Sequence, residues 1–138
     1  MQTKIKPSIF AIFFVMVLFA APAGAAEVYF ISPADGDTVG GEFQVQFGLS
    51  GMGVTAAGFD APNTGHHHLL IDMDELPDLG LPLAKTDQLR HFGGGQTEVM
   101  IQLSPGKHSL QLVLANHLHI PHDPPVISKK ITIEVRAE

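Results

Sequence analysis

The chain has 138 residues, with 14 acidic side chains against eight Lys and Arg and a formal charge of -6 at pH 7. That length fits one domain, and the acidic balance excludes nucleic acid as the expected partner, because phosphate binding needs a basic face. With no cysteine and no tryptophan, disulfides, thiolate metal sites, thiol nucleophiles, a lipidated N-terminal cysteine and an antibody-type Cys–Trp–Cys core are excluded as well.

The first element in chain order is an address. Lys4 and Lys6 precede the uncharged apolar run Ile9–Ala20, and Ala23-Gly24-Ala25 has the small-x-small pattern of a cleavage site. This predicts a secretory signal peptide over residues 1–25. The run is shorter than the ~20 apolar residues of a spanning helix, so no stable membrane span is expected after its removal. The expected product is an exported domain over residues 26–138, periplasmic in a Gram-negative cell or else secreted. Losing the two lysines takes its formal charge from -6 to -8. An exported chain without cysteine suits an oxidising compartment.

The remaining chain alternates with a period of two. Val28–Ile31 is a short strand candidate. Phe43, Val45, Phe47 and Leu49 share one face of the next strand, and the segment from His66 to Asp72 is another short candidate. Thr97, Val99, Ile101 and Leu103 align on one face, as do Leu110, Leu112 and Leu114, and as do Ile127, Ile131, Ile133 and Val135. Each pattern predicts a half-buried strand. Pro33-Ala34-Asp35-Gly36-Asp37 marks a turn, and Ser104-Pro105-Gly106-Lys107 predicts a hairpin between its flanking strands. The stretch 73–95 is ambiguous, with room for a short strand or a turn of helix. The reading is all-β: an immunoglobulin-like antiparallel β-sandwich of about 6–7 strands, with a small closed barrel as the alternative.

The unusual feature is eight histidines: His66, His67, His68, His91, His108, His117, His119 and His122. If antiparallel strands alternate in direction and 73–95 climbs back, all except His108 gather at one end of the sandwich. Alternation puts His66 and His68 on one face. His67 goes to the other with Leu69 and Ile71, half-buried, and His108 is read as a turn-associated structural residue. Pro121, Pro124 and Pro125 stiffen the last histidine loop. Several imidazoles on a stiff scaffold suit a transition-metal ion. Copper is favoured over zinc by the general affinity order, and without cysteine a blue-copper site is excluded. The expected metal ligands are His66, His68, His91, His117, His119 and His122.

Other motifs carry less. Gly93-Gly94-Gly95-Gln96 lacks the Gly-Lys-[Ser/Thr] ending of a phosphate loop and reads as a positive-φ turn. The acidic run Asp72, Asp74, Glu75, Asp78 lacks calcium-loop spacing and reads as solvated. Asp60 or Asp72 is a candidate for orienting a histidine. No serine sits in a nucleophile-elbow context. A copper brace needs an N-terminal histidine, whereas cleavage after Ala25 leaves Ala26.

Four motifs run through the chain: Gly65-His66-His67-His68-Leu69-Leu70-Ile71-Asp72, His91-Phe92-Gly93-Gly94-Gly95-Gln96-Thr97-Glu98, Pro105-Gly106-Lys107-His108, and His119-Ile120-Pro121-His122-Asp123-Pro124-Pro125-Val126. Carrying them over roughly 27–136, the chain resembles an uncharacterised family of small secreted bacterial domains of unknown function. The resemblance implies export and a compact β fold, and no activity. The functional expectation is a histidine-rich metal-binding protein for sequestration, delivery or tolerance. Its rival is a metal-free envelope module whose histidine end contacts a protein or glycan. An enzyme is the less favoured reading, and no catalytic residue is named.

Overall fold

Residues 24–137 are described by a computed structural model; apart from Gly24 and Ala25, the expected signal segment lies outside them. The alternating segments form nine strands: β1 (Glu27–Ser32), β2 (Thr38–Val39), β3 (Glu42–Ser50), β4 (Gly53–Val54), β5 (Thr64–Ile71), β6 (Leu89–His91), β7 (Glu98–Gln102), β8 (Gly106–Ala115) and β9 (Ile131–Val135). One sheet has the order β1-β3-β7. The other has six strands in the order β2-β9-β8-β5-β4, with β6 also paired to β5. The described residues contain no helix, and so none long and apolar enough to cross a membrane. The all-β, two-sheet expectation stands. The additions are short: β2 and β4 have two residues each and β6 has three.

The core lies between the sheets. Phe43, Val45 and Phe47 of β3 face Leu69 and Ile71 of β5 together with Leu110, Leu112 and Leu114 of β8. Ile131, Ile133 and Val135 complete it from β9. These are the inward positions that the period of two selects.

The second sheet is also covered on its outer face. Leu70, Val113 and Ala115 form a smaller core there with Leu83 and Leu89, and Met73 and Ile127 pack against it. The stretch 73–91 is therefore a cover folded back over the sheet, and β6 at its end runs antiparallel to β5. The upward crossing that the histidine argument required is present. As a result β5 is buried on both faces, from Gly65 to Ile71.

Two expectations are corrected. Ser104-Pro105-Gly106-Lys107 does not close a hairpin, because β7 pairs with β3 while β8 pairs with β5 and β9. The turn instead carries the chain from one sheet to the other. A Pro-Gly turn reverses direction in either case, and the choice depends on which strands lie beside the two arms. The second correction concerns Ile127, which packs on the outer core rather than with Ile131, Ile133 and Val135. Leu110 lies opposite Ile131 and Val113 opposite Ile127. The extra residue between them is a bulge, which reverses the facing of every position before it.

At the pole away from the other histidines, Asp72 closes the second sheet. Its φ is 53°. One carboxylate oxygen accepts the Ser109 N–H at 2.8 Å, and the other lies 2.6 Å from Nδ1 of His108. Nε2 of His108 lies 2.8 Å from the Ser104 carbonyl. Both partners are acceptors, so this geometry favours the doubly protonated ring. Partial burial pulls its pKa down, but the bonds to Asp72 and Ser104 outweigh that and leave it raised. His108 is thus a structural clasp on the sheet-crossing turn. Asp72→Ala is expected to cost about 1–3 kcal/mol in urea denaturation. Because the His108 pKa is raised by folding, the clasp's contribution is fully present below the unfolded value and is lost as pH rises through the folded one.

Candidate metal centre

The site is built on the first half of β5. His66 pairs with Ala115, His67 with Leu114 and His68 with Val113. Successive residues of a strand point to opposite faces. His66 and His68 therefore go to the outer face beside Ala115 and Val113, and His67 goes to the inter-sheet core. All three are 0% exposed. His67 is thus more deeply buried than the half-burial expected of it. Its ring packs 5.0 Å from that of Phe47 and neither ring nitrogen has a partner. Burial lowers its pKa, so it serves as a neutral aromatic filler.

His119 reaches the same outer face from the loop after β8. It has a φ of 64°, a conformation that a non-glycine residue adopts only when its surroundings hold it there. Here Asn116 supplies the hold. Its side-chain oxygen accepts the N–H groups of Leu118 and Ile120, and its carbonyl accepts that of His119. The His119 carbonyl in turn accepts the Leu83 N–H at 2.9 Å, tying this loop to the cover. The outcome is a convergence: Nδ1 of His119 lies 2.9 Å from Nε2 of His66 and 3.3 Å from Nε2 of His68. Ligand atoms of these three residues lie within 4.8 Å of one another, and this is the group of potential metal donors found among the described residues.

A ring nitrogen carries either one proton or one lone pair in its plane. Nδ1 of His119 therefore cannot satisfy both neighbours by hydrogen bonding. A cation can take all three lone pairs. Around an ion with bonds of ~2.0–2.1 Å in a tetrahedral arrangement, imidazole nitrogens stand ~3.3 Å apart. The separations of 2.9 and 3.3 Å from Nδ1 of His119 lie near that spacing, and the ligand atoms all lie within 4.8 Å of one another. Burial, followed by the like charges of His119, His91, His67 and His122, pushes the His66 pKa down to about 4. Burial and the neighbouring His66, His91 and His119 push His68 down to about 3, against the backbone of His66. Both rings are thus neutral at pH 7, the form that binds a metal.

The other expected ligands fall nearby in different ways. His91, on β6, is the cross-strand neighbour of His68, and its ring centre lies 4.4 Å from that of His68 and 4.8 Å from that of His119. His117 turns away, with Nδ1 3.4 Å from Asp60. His117 and His122 both line a separate cavity of about 190 Å³ that also includes Asp60 and Asn116. Nε2 of His122 is buried without a partner. It would lie 2.9 Å from a Cβ placed on Gly65. Of the two candidate orienting carboxylates, Asp60 faces His117 and Asp72 faces His108. A larger cleft of about 470 Å³, lined by Gly41, Gln102, Ser104 and Arg136, contains no histidine.

Sequence reasoning missed Asn116, Gly65 and the covering Leu83 and Leu89. Asn116 was discoverable, since an Asn two or three residues before a strained position commonly organises a turn through its side chain. Gly65 was legible only as part of a motif. Its requirement is spatial, because a Cβ there would meet the Ala115 carbonyl at 2.7 Å.

Gly65→Ala is expected to push β5 from β8, destabilising the fold and separating His66 from His119; paired urea melts and metal titrations check this. The buried histidines also set an acid limit. Their pKa values are lower folded than unfolded, so the unfolded chain binds more protons below about pH 6.5. The contribution of these histidines to the stability of the metal-free protein is therefore complete above that pH and falls as pH drops toward 4, on the order of 1 kcal/mol per pH unit and titrating group. Denaturation between pH 7.5 and 4.5 measures it.

A model of the family described as a domain of unknown function (DUF4399) matches residues 45–136, a stretch that holds all eight histidines. No curated protein matches the chain. Among solved structures, the chain is similar to the endo-beta-1,4-mannanase from Thermotoga petrophila, with 19% identity and a TM-score of 0.47. That likeness covers 82% of this chain and 20% of that one, so the chain spans about a fifth of the mannanase's length. The expected kinship with an uncharacterised family is thus borne out by the family model: the chain belongs to the DUF4399 family, a domain of unknown function.

Proposed function

We propose that this protein is an exported carrier of a transition-metal ion, copper before zinc, acting in the periplasm or outside the cell in sequestration, delivery or tolerance. The observation that carries the reading is the approach of Nδ1 of the half-buried His119 to Nε2 of both His66 and His68, which are buried. Imidazole donors without thiolate or carboxylate favour Cu(II), Zn(II) or Ni(II), and the intrinsic affinity order puts copper first. Such a set binds hard cations poorly, because calcium and magnesium take oxygen ligands. Export rests on Lys4, Lys6, the apolar run and Ala23-Gly24-Ala25.

The arrangement also has a cost that supports the reading. Nδ1 of His66 and Nδ1 of His68 are buried without hydrogen-bond partners. Unpaired buried polar atoms destabilise a fold, so leucine at these positions would serve the outer core better. Metal binding through Nε2 would give the imidazoles a role that leucine could not fill.

The test is metal content and titration of the tag-free protein, alone and as the His66→Leu/His68→Leu variant. The wild-type chain is expected to hold one Cu(II) in the micromolar range or tighter and to prefer it to Zn(II) in competition. The double variant is expected to melt at the same or a higher temperature without metal and to bind at least about 100-fold more weakly. A wild-type chain that takes up no metal, or a variant that binds as well, overturns the reading and favours a metal-free envelope contact surface.

A further inference from the structure

We propose that His91 supplies a fourth imidazole nitrogen, Nε2, completing a four-coordinate site in which the ion clamps the 73–91 cover onto the second sheet. This rests on the metal reading above and specifies its coordination and its consequence.

Three observations carry it. First, β6 places His91 directly across from His68. Side chains of such a pair leave the sheet on the same face with Cβ atoms ~4.5–5.5 Å apart, so the pairing itself delivers His91 to the outer face where His68 stands. Second, the His91 ring lies 4.4 Å from the His68 ring and 4.8 Å from the His119 ring, touching two members of the converging set. Third, Nε2 of His91 is buried and has no partner. A bound ion would give that bare nitrogen a partner, drawing His91 in beside the group formed by His66, His68 and His119.

The consequence follows from where the donors come from. β5 contributes two, the loop after β8 contributes His119, and the cover contributes His91. Between these, the cover and the loop are joined by the Leu83–His119 backbone bond. An ion bound to all four would add a cross-link to the β5–β6 pairing and the outer core that already hold the cover. Four imidazole nitrogens also fill the tetrahedral sphere of a zinc ion, leaving no position for a substrate or an activated water. The site would hold and release an ion rather than perform chemistry on a bound molecule.

The experiment uses the full exported chain loaded with Cu(II) for nitrogen hyperfine structure in electron paramagnetic resonance, and with Co(II) for its visible spectrum. The variants are His91→Ala, His91→Gln and, as a control, His117→Ala. Apo circular dichroism and melting confirm that each folds. Wild type is expected to show four equivalent-class nitrogens and an intense tetrahedral Co(II) band. Both His91 variants are expected to keep one ion with three nitrogens and a water, to bind roughly tenfold or more weakly, and to lose metal-dependent protection of residues 73–90 from proteolysis. His117→Ala is expected to behave as wild type. A readout free of substitutions is the His91 Nε2 resonance in long-range imidazole NMR, which should shift on adding Zn(II). An unmoved resonance, or His91 variants with unchanged nitrogen count and affinity, overturns the proposal while leaving the three-histidine site standing. No metal uptake by wild type overturns both.

Discussion

The burial of β5 on both faces is the constraint from which the rest of the structure follows. An ordinary sandwich strand buries one face and wets the other, and a histidine on the wet face would be a surface residue. Here the 73–91 cover and the loop after β8 close over the outer face. Three consecutive histidines therefore enter two different dry environments. His67 enters the inter-sheet core against Phe47. His66 and His68 enter the space beneath the cover, where His119 meets them. Desolvation then keeps His66 and His68 neutral, which turns a group of rings into a group of lone pairs.

That burial is expensive, and the expense is localised. Unpartnered buried imidazole nitrogens occur at His66, His67, His68, His91 and His122, and four of these six atoms lie on or beside the outer-face cluster or its flanking loop, the other two being those of His67. His119 adds a left-handed backbone conformation held by Asn116. Natural folds tolerate such concentrations of unmet bonding and strain mainly where a ligand acts on them. The opposite pole is built differently. There His108 has both nitrogens paired, to Asp72 and Ser104, and stabilises a turn. The same residue type thus serves as a satisfied clasp at one end and as an unsatisfied donor at the other, and the hydrogen-bond inventory tells the two apart.

Much of this was legible in the chain. The alternation of Phe43, Val45 and Phe47, and of Leu110, Leu112 and Leu114, identified strands and inward faces, because a side-chain period of two survives any choice of neighbours. The same rule separated His67 from His66 and His68. Other features were not legible. The turn at Pro105-Gly106 reads alike whether it joins paired strands or crosses between sheets. The bulge before Ile131 moved Ile127 to the other core through one extra residue that leaves no mark on the local pattern. His117 and His122 were grouped with the rest because loops at one pole share an address, but their rings line a separate cavity.

The sequence by itself determined the strand class, the division of the triple histidine between two faces, and the supply of imidazoles in place of thiolates. These depend on local geometry and on composition, which act over a few residues. Tertiary structure decided which imidazoles meet. His66 and His119 are 53 residues apart, and their contact depends on the cover, on the β5–β8 register and on the Asn116 turn at once. Such a meeting is a property of packing among distant segments, where a shift of one residue would send each ring to the opposite side of the sheet.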